Sequence, residues 1–199
     1  ALSQLLSGVA VRRFRPDILH ATYYGQSRRL SGARHVLTVY DLIHERYSDM
    51  FENSHMTSGP KKAAALRADH VVCISESTRR DLINICGVPE EKTSVIYLGA
   101  DTSFFDAKPV ANLIERPYLL YVGKRDGYKN FEGLLRAFAI SYRLKSTFDI
   151  VCFGGDAFTE TELSLMRTLG LRSKQFKHVS GSDQKLSGLY RGAQVFVYP

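Results

Sequence analysis

The apolar positions of this chain fall into short runs separated by polar, cap-bearing segments. The runs are Ile18–Ala21, His35–Tyr40, His70–Ile74, Ser94–Leu98, Tyr118–Val122, Phe148–Phe153, Phe176–Ser180 and Gln194–Tyr198. Each is strand-length, and the run Tyr118–Val122, ended by Gly123, has the near-continuous apolar character of a parallel strand covered on both faces. Helical spacing fills the gaps. Asn130 is a good N-cap residue type, and Phe131, Leu134, Leu135, Phe138 and Tyr142 follow it at i, i+3, i+4, i+7 and i+11, which predicts one apolar stripe. Ser75 or Ser77 opens a helix that Gly87 and Pro89 end, Thr159 with Glu162 forms a capping box before a helix ending at Gly170, and Ser182 caps a helix to Arg191. Pro60 suits the first turn of a helix running through Ala68. Residues 1–11 read as the end of a helix, and 23–34 and 46–59 as polar, irregular chain.

Strand and helix therefore alternate on both sides of residues 102–117, which carry two prolines and no period. The pattern predicts α/β architecture in two doubly wound halves, 1–101 and 118–199, joined by a linker at 102–117. The first half has few strands for such a sheet, and the last strand stops with the chain. Both halves are thus expected to be incomplete and the chain to be a fragment.

Candidate chemistry concentrates after the fifth run. Lys124, Arg125 and Lys129 lie between a strand end and a helix start. Ligands of open α/β sheets bind beyond the carboxyl ends of strands, and a helix N-terminus favours phosphate. Arg adds a bidentate fork and Lys a point charge, so a diphosphate clamp is one reading and a basic, solvated loop the other.

Composition changes this picture little. The chain has 199 residues, 44% hydrophobic and 24% charged, as in ordinary globular proteins. No stretch approaches the length of a transmembrane helix, and the start Ala1–Leu6 lacks the charged leader of a signal peptide, so a cytoplasmic protein is expected. Three widely spaced cysteines, Cys73, Cys86 and Cys152, read as buried free thiols, and no metal-ligand spacing is present. The net charge of +7 suits anionic partners, whether nucleoside diphosphates, acidic lipid surfaces or nucleic acid. Nucleic acid is the least supported, because no zinc spacing, basic run or RNA motif is found.

Four motifs then carry a resemblance: Arg15–His20, Val36–Glu45, Ala68–Asp81 and Leu120–Phe131. In that order and spacing the chain resembles GT-B glycosyltransferases of family 4, the retaining group-1 type, with mannosyltransferase-like members nearest. The resemblance implies two Rossmann-like domains that close around a nucleoside diphosphate sugar, with the linker as a hinge. It implies sugar transfer to a glycan or lipid-linked glycan with retained anomeric configuration and without a resident metal or other cofactor. GDP-mannose is the implied donor, and the cytoplasmic face of a membrane is a fitting place of work. Carried over by residue, Arg125 and Lys129 hold the donor diphosphate, with Lys124 competing for the Arg role. Gly123, Gly154 and Gly155 line the nucleotide site, and Ser75 and Glu76 face it from the first half. Where the family often has His-Asp, this chain has Tyr40-Asp41, with His44 three residues on, so Asp41 and His44 are the catalytic candidates there. The family's Gly-rich acceptor loop is expected before residue 1, and its paired-glutamate motif beyond Pro199.

Three other readings compete. A non-transferring, epimerase-like or regulatory protein would share the fold and bind the same nucleotide. A dinucleotide oxidoreductase is disfavoured, since no Gly-x-Gly-x-x-Gly follows any strand. A basic adaptor for membranes or nucleic acid would show steep salt dependence.

Overall fold

The computed structural model describes residues 14–24, 32–102, 114–125 and 127–199. The chain divides into two compact units, Ala1–Gly99 and Ala100–Pro199. The expected helix at residues 1–11 lies outside the described residues, as does most of the expected linker at 102–117.

The first unit holds β1 (Ile18–Ala21), β2 (Arg34–Val39), α1 (Ile43–Arg46), α2 (His55–Arg67), β3 (His70–Cys73), α3 (Glu76–Cys86) and β4 (Thr93–Val95). Its sheet has the order β1-β2-β3-β4, all parallel. Leu37 and Val39 of β2 alternate with Val36 and Thr38, and Val71 and Cys73 of β3 follow the same period, so one face of the sheet is the core. Leu82, Cys86, Ala65 and Ala68 pack onto that face from α3 and α2.

The second unit holds β5 (Tyr118–Val122), α4 (Phe131–Ile140), α5 (Tyr142–Thr147), β6 (Asp149–Phe153), α6 (Glu160–Thr168), β7 (Phe176–Val179), α7 (Asp183–Gly192) and β8 (Val195–Phe196). Its parallel sheet has the order β7-β6-β5-β8. Here the two central strands are buried on both faces. Leu119, Tyr121, Ile150 and Cys152 face a core with α4 and α6, while Tyr118, Leu120, Val151 and Phe153 face a second core with Leu189 of α7. This is why their sequence reads as nearly unbroken apolar residues.

Several expected caps are present. Ser75, Thr159 and Ser182 each accept the backbone N–H three residues on, and Gly87 ends α3 at φ 72°. Other expectations need correction. The α2 helix begins at His55, so Pro60 sits inside it and not in its first turn. Ser54 precedes that helix without a side-chain cap bond, so no cap signal marks the true start. Residues 48–50 form a short 3-10 turn within the stretch read as irregular. The stripe of α4 ends at Phe138. Ser141 leaves helical geometry and caps the separate helix α5, which turns Tyr142 out to 83% exposure. The fourth and eighth strands are shorter than their apolar runs, three and two residues. Each pairs on one side, with β3 or β5, and Ile96, Tyr97, Leu98 and Tyr198 lie exposed beyond the ladder.

Candidate functional site

In the second unit the chain runs from β5 outward to β6 and β7, then returns to place β8 on the other side of β5. The strand order reverses between β5 and β8. In an open parallel sheet that reversal leaves a crevice beyond the strand ends, the usual place for a ligand. The segment Gly123–Asn130 leaves β5 at this point, and Val197–Pro199 leaves β8 beside it.

Backbone geometry shapes the loop. Gly123 has φ 119°, and Gly154 and Gly155, which follow β6, have φ 80° and 68°, values that L side chains adopt at a cost. A Cβ on Gly155 would stand 3.4 Å from both the Gly123 carbonyl oxygen and the Lys124 Cα. The two loops therefore lie back to back, joined by Gly123 N–H donating to the Phe153 carbonyl at 2.9 Å. The expected grouping of Gly123, Lys124, Gly154 and Gly155 is thus present.

The three cations take different places. Arg125 turns inward, its side chain 5% exposed. Its Nε donates to Glu162 Oε1 at 2.6 Å, and its Nη2 to the carbonyls of Asp156 and Ala157 at 2.7 and 3.0 Å. The guanidinium lies 4.8 Å from the Phe158 ring centre and 5.7 Å from that of Phe131. Buried Nη1 makes no hydrogen bond among the described residues and lies 3.7 Å from where a Gly155 Cβ would be. Glu162 also accepts the Thr159 N–H at 2.7 Å in the capping box. Burial pushes the Glu162 carboxyl up, but the Arg125 hydrogen bond and the Thr159 N–H outweigh it, and the net shift is downward. Arg125 thus fastens the loop after β6 to the start of α6, with its Nη1 left without a hydrogen-bond partner among the described residues.

Lys124 is exposed and enters no ion pair among the described residues. Lys129 closes a 3-10 turn, Gly127–Lys129, just before α4. Its ammonium donates to the Tyr198 hydroxyl and lies 5.0 and 4.8 Å from the ring centres of Tyr128 and Tyr198. That hydrogen bond holds the Lys129 ammonium above its ordinary range, so it stays charged at neutral pH. Asn130 takes the N-cap position of α4 in a left-handed conformation, φ 52°, and its side chain makes no cap bond. Its amide lies over Gly133, where a Cβ would collide with it. Among the described residues no side chain is seen to cap the first-turn N–H groups of α4, in contrast to the cap expected from the residue type of Asn130.

In the first unit, Asp41 and His44 lie just beyond the carboxyl end of β2. Asp41 Oδ1 accepts the Ile43 N–H at 3.3 Å, and its side chain is about half exposed. The His44 ring packs on Phe51 at 4.5 Å between centres, and its buried Nδ1 has no hydrogen-bond partner among the described residues. Ser75 spends its hydroxyl on the cap of α3, and Glu76 is paired loosely with Arg79 at 3.9 Å. Thr78 joins this helix start to the β2 end by donating to the Tyr40 carbonyl at 3.0 Å. The residues expected from the first half thus share one end of its sheet.

Lys61, which sequence reading placed merely on a helix, proves central. Its side chain is 1% exposed, and its ammonium donates to the Asp41 carbonyl at 2.9 Å and to Glu45 Oε2 at 3.0 Å, with the Tyr24 ring centre 5.1 Å away. A signal was available: Lys61 precedes Ala65 by four residues on the buried face of α2, where a charge must find a partner. Glu162 stands in the same relation to buried Met166 on α6. Tyr198 was read as strand, and nothing in its spacing distinguishes it. Among the described residues, no three His, Cys, Asp or Glu side chains gather as a metal site, and no helix is long and apolar enough to cross a membrane.

Comparison with known proteins agrees with this geometry. The model for Glycosyltransferase Family 4 matches residues 7–104, and that for Glycosyl transferases group 1 matches residues 104–199. A D-inositol 3-phosphate glycosyltransferase of Thermobispora bispora is 25% identical over 93% of this chain and 49% of its own length. An O-antigen chain mannosyltransferase B of Escherichia coli is 22% identical over 65% of this chain and 36% of its own. The crystal structure of WaaG, a glycosyltransferase involved in lipopolysaccharide biosynthesis, superposes with a TM-score of 0.68 at 15% identity, over 96% of this chain and 55% of that one. The chain spans about half the length of the relatives it matches. The fold is that of GT-B glycosyltransferases, and with its halves matched in order by the two models, the chain belongs to the group 1 glycosyltransferases with a family 4 N-terminal half.

Proposed function

We propose that this chain belongs to a retaining glycosyltransferase that moves a hexose from a nucleoside diphosphate sugar to a glycan or lipid-linked glycan. The observation that carries the reading is the loop after β5. It leaves β5 at the strand-order reversal and carries Lys124, Lys129 and the start of α4, where Asn130 makes no side-chain cap bond. Mannose, and with it GDP-mannose, is the favoured donor, since a mannosyltransferase is among the relatives. The net charge of +7 suits work at the inner, anionic face of a membrane.

In this reading the donor diphosphate lies over Gly123 and Gly155, where the missing side chains let the backbone come close. Its negative charge grows as the sugar departs. Lys124 and Lys129 stabilise that growth more than they stabilise the ground state, which is what accelerates the chemical step. Lys124 takes the place first given to Arg125, because the Arg125 guanidinium is engaged with Glu162 and two carbonyls. Arg125 then acts by positioning the Gly154–Ala157 turn. Asp41 and His44 belong to the sugar side. The buried Nδ1 of His44 is a group that could exchange a hydrogen bond with a substrate hydroxyl. Retention needs no side-chain nucleophile in this scheme, and the departing diphosphate is itself a base beside the incoming hydroxyl.

Calorimetric titration with GDP, UDP and ADP tests the reading. One of the three is expected to bind, and Lys129→Ala to weaken it by about a hundred-fold, as for loss of a charged donor. Equal affinity in parent and variant would refute the clamp. Binding without transfer to any glycan acceptor by the full-length protein would favour the non-transferring alternative.

A further inference from the structure

The contact between Lys129 and Tyr198 joins the two strands that flank the strand-order reversal. Lys129 stands on the segment leaving β5, and Tyr198 two residues past the end of β8. The two positions are 69 residues apart in sequence, and β8 pairs with β5 at Leu119–Val195 and Leu120–Phe196. The β5–β8 ladder therefore fixes how far Tyr198 can lie from Lys129, and Val197 N–H donating to the Leu120 carbonyl at 2.8 Å extends it to the residue before the tyrosine.

A lysine side chain is a flexible stem with an ammonium that has no preferred direction. Here two aromatic rings flank it at 5.0 and 4.8 Å, distances at which the ring faces attract a cation. The Tyr198 hydroxyl oxygen accepts one of its three N–H groups. Tyr128 also hydrogen-bonds the ammonium, and because the Tyr198 oxygen serves as the acceptor, the phenol keeps its own O–H. The raised proton affinity of Lys129 is consistent with these hydrogen bonds. Phe196 lies 6.4 Å from Tyr198 and 5.3 Å from Tyr190, ring centre to centre, and backs the tyrosine from the β8 side.

We propose that Tyr198 is a positioning residue for donor binding: it holds the Lys129 ammonium over the strand-order reversal and turns its own O–H toward the distal phosphate of the nucleoside diphosphate. This rests on the reading of Lys129 as a diphosphate clamp. The tyrosine adds no charge. Its effect is to remove the freedom that the ammonium would otherwise lose on binding, and to supply one neutral donor beside a charged one.

The test uses whichever of GDP, UDP or ADP the parent binds, together with the matching monophosphate, titrated into the parent, Tyr198→Phe, Tyr198→Leu, Lys129→Ala and the double variant Lys129→Ala/Tyr198→Phe. Tyr198→Phe keeps the ring and removes the hydroxyl. It is expected to weaken the diphosphate about tenfold, the scale of one hydrogen bond to a charged group, and to leave the monophosphate unchanged. Tyr198→Leu also removes the ring and should lose about two- to five-fold more. The double variant should lose less than the sum of the two single losses, because the tyrosine acts in part through the lysine. Nζ resonances of labelled lysine give a readout apart from nucleotide, and in Tyr198→Phe the Lys129 ammonium should titrate closer to an ordinary lysine. Unchanged diphosphate binding in Tyr198→Phe overturns the proposal, as does equal loss of mono- and diphosphate or full additivity in the double variant. If Lys129→Ala weakens binding and Tyr198→Phe does not, the positioning role alone falls. If Lys129→Ala binds like the parent, the clamp falls and takes the positioning role with it.

Discussion

Each half of this molecule buries one cation at the carboxyl end of its sheet, and the two cations are used differently. In the first unit Lys61 reaches from α2 to the Asp41 carbonyl and to Glu45, which is 6% exposed. In the second, Arg125 leaves the loop after β5 and crosses to Glu162 and to the carbonyls of Asp156 and Ala157. Both cations pin a loop carbonyl and pair with a glutamate on a neighbouring helix. A lysine suffices where one carbonyl and one carboxylate oxygen converge on a point. Where two successive carbonyls and a carboxylate must be held at once, the planar fork of arginine fits the geometry. The lesson is that a cation beside a ligand loop can serve the loop instead of the ligand, and burial decides which. Arg125 is 5% exposed and paired, whereas neighbouring Lys124 is exposed.

This comparison can be broken most severely by removing the cations. Lys61→Ala strands the Glu45 carboxylate, and Arg125→Ala strands that of Glu162 and two carbonyls. Each is expected to cost about 3–5 kcal/mol in urea unfolding. Lys61→Met combined with Glu45→Leu should recover most of the loss, since an apolar pair of similar volume replaces a buried ion pair at little cost. If both single variants unfold like the parent, the two pairs do not hold their loops.

A smaller effect separates fork from charge. Arg125→Lys keeps the cation but cannot reach Glu162, Asp156 and Ala157 together. A loss of about 1–3 kcal/mol is expected, with weakened nucleotide binding by the loop it no longer fixes. Full retention of both would mean that charge alone matters there.

Smaller again is the response to acid. The Glu162 carboxyl sits below its ordinary value when folded, so its contribution is complete above the ordinary carboxyl range of about 4.3 and is lost as pH falls through that range toward the lowered value. Unfolding midpoints measured from pH 7 to pH 3 should fall, and Glu162→Gln should flatten that part of the profile. An identical slope in the variant would remove Glu162 as its source. Thr159→Ala, which removes the reciprocal cap of α6, should cost about 1 kcal/mol at neutral pH.

Much of the fold was legible because local rules and burial agree. The strands at Ile18, Tyr118 and Phe176 begin where the apolar runs begin, and Ser75, Thr159 and Ser182 cap the helices they precede. Legibility failed where an apolar run does not mean burial. Ile96–Leu98 and Tyr142 are apolar by residue type yet exposed, because their strand or helix ends before them. It failed too at α2, whose interior proline mimics a helix start.

The sequence by itself determined the alternation of strands and helices, the glycine turns and the presence of three cations at a strand end. Those follow from periodicity, φ preference and position along the chain, all local properties. The tertiary structure alone decided the fate of each cation. Glu162 lies 37 residues from Arg125 and Tyr198 69 residues from Lys129, and strand order brings each pair together. Lys61 and Glu45 are likewise joined by how α2 packs at the end of β2. A charge is assigned to structure or to ligand by what surrounds it, and in a parallel sheet those surroundings come from distant segments whose adjacency no local pattern encodes.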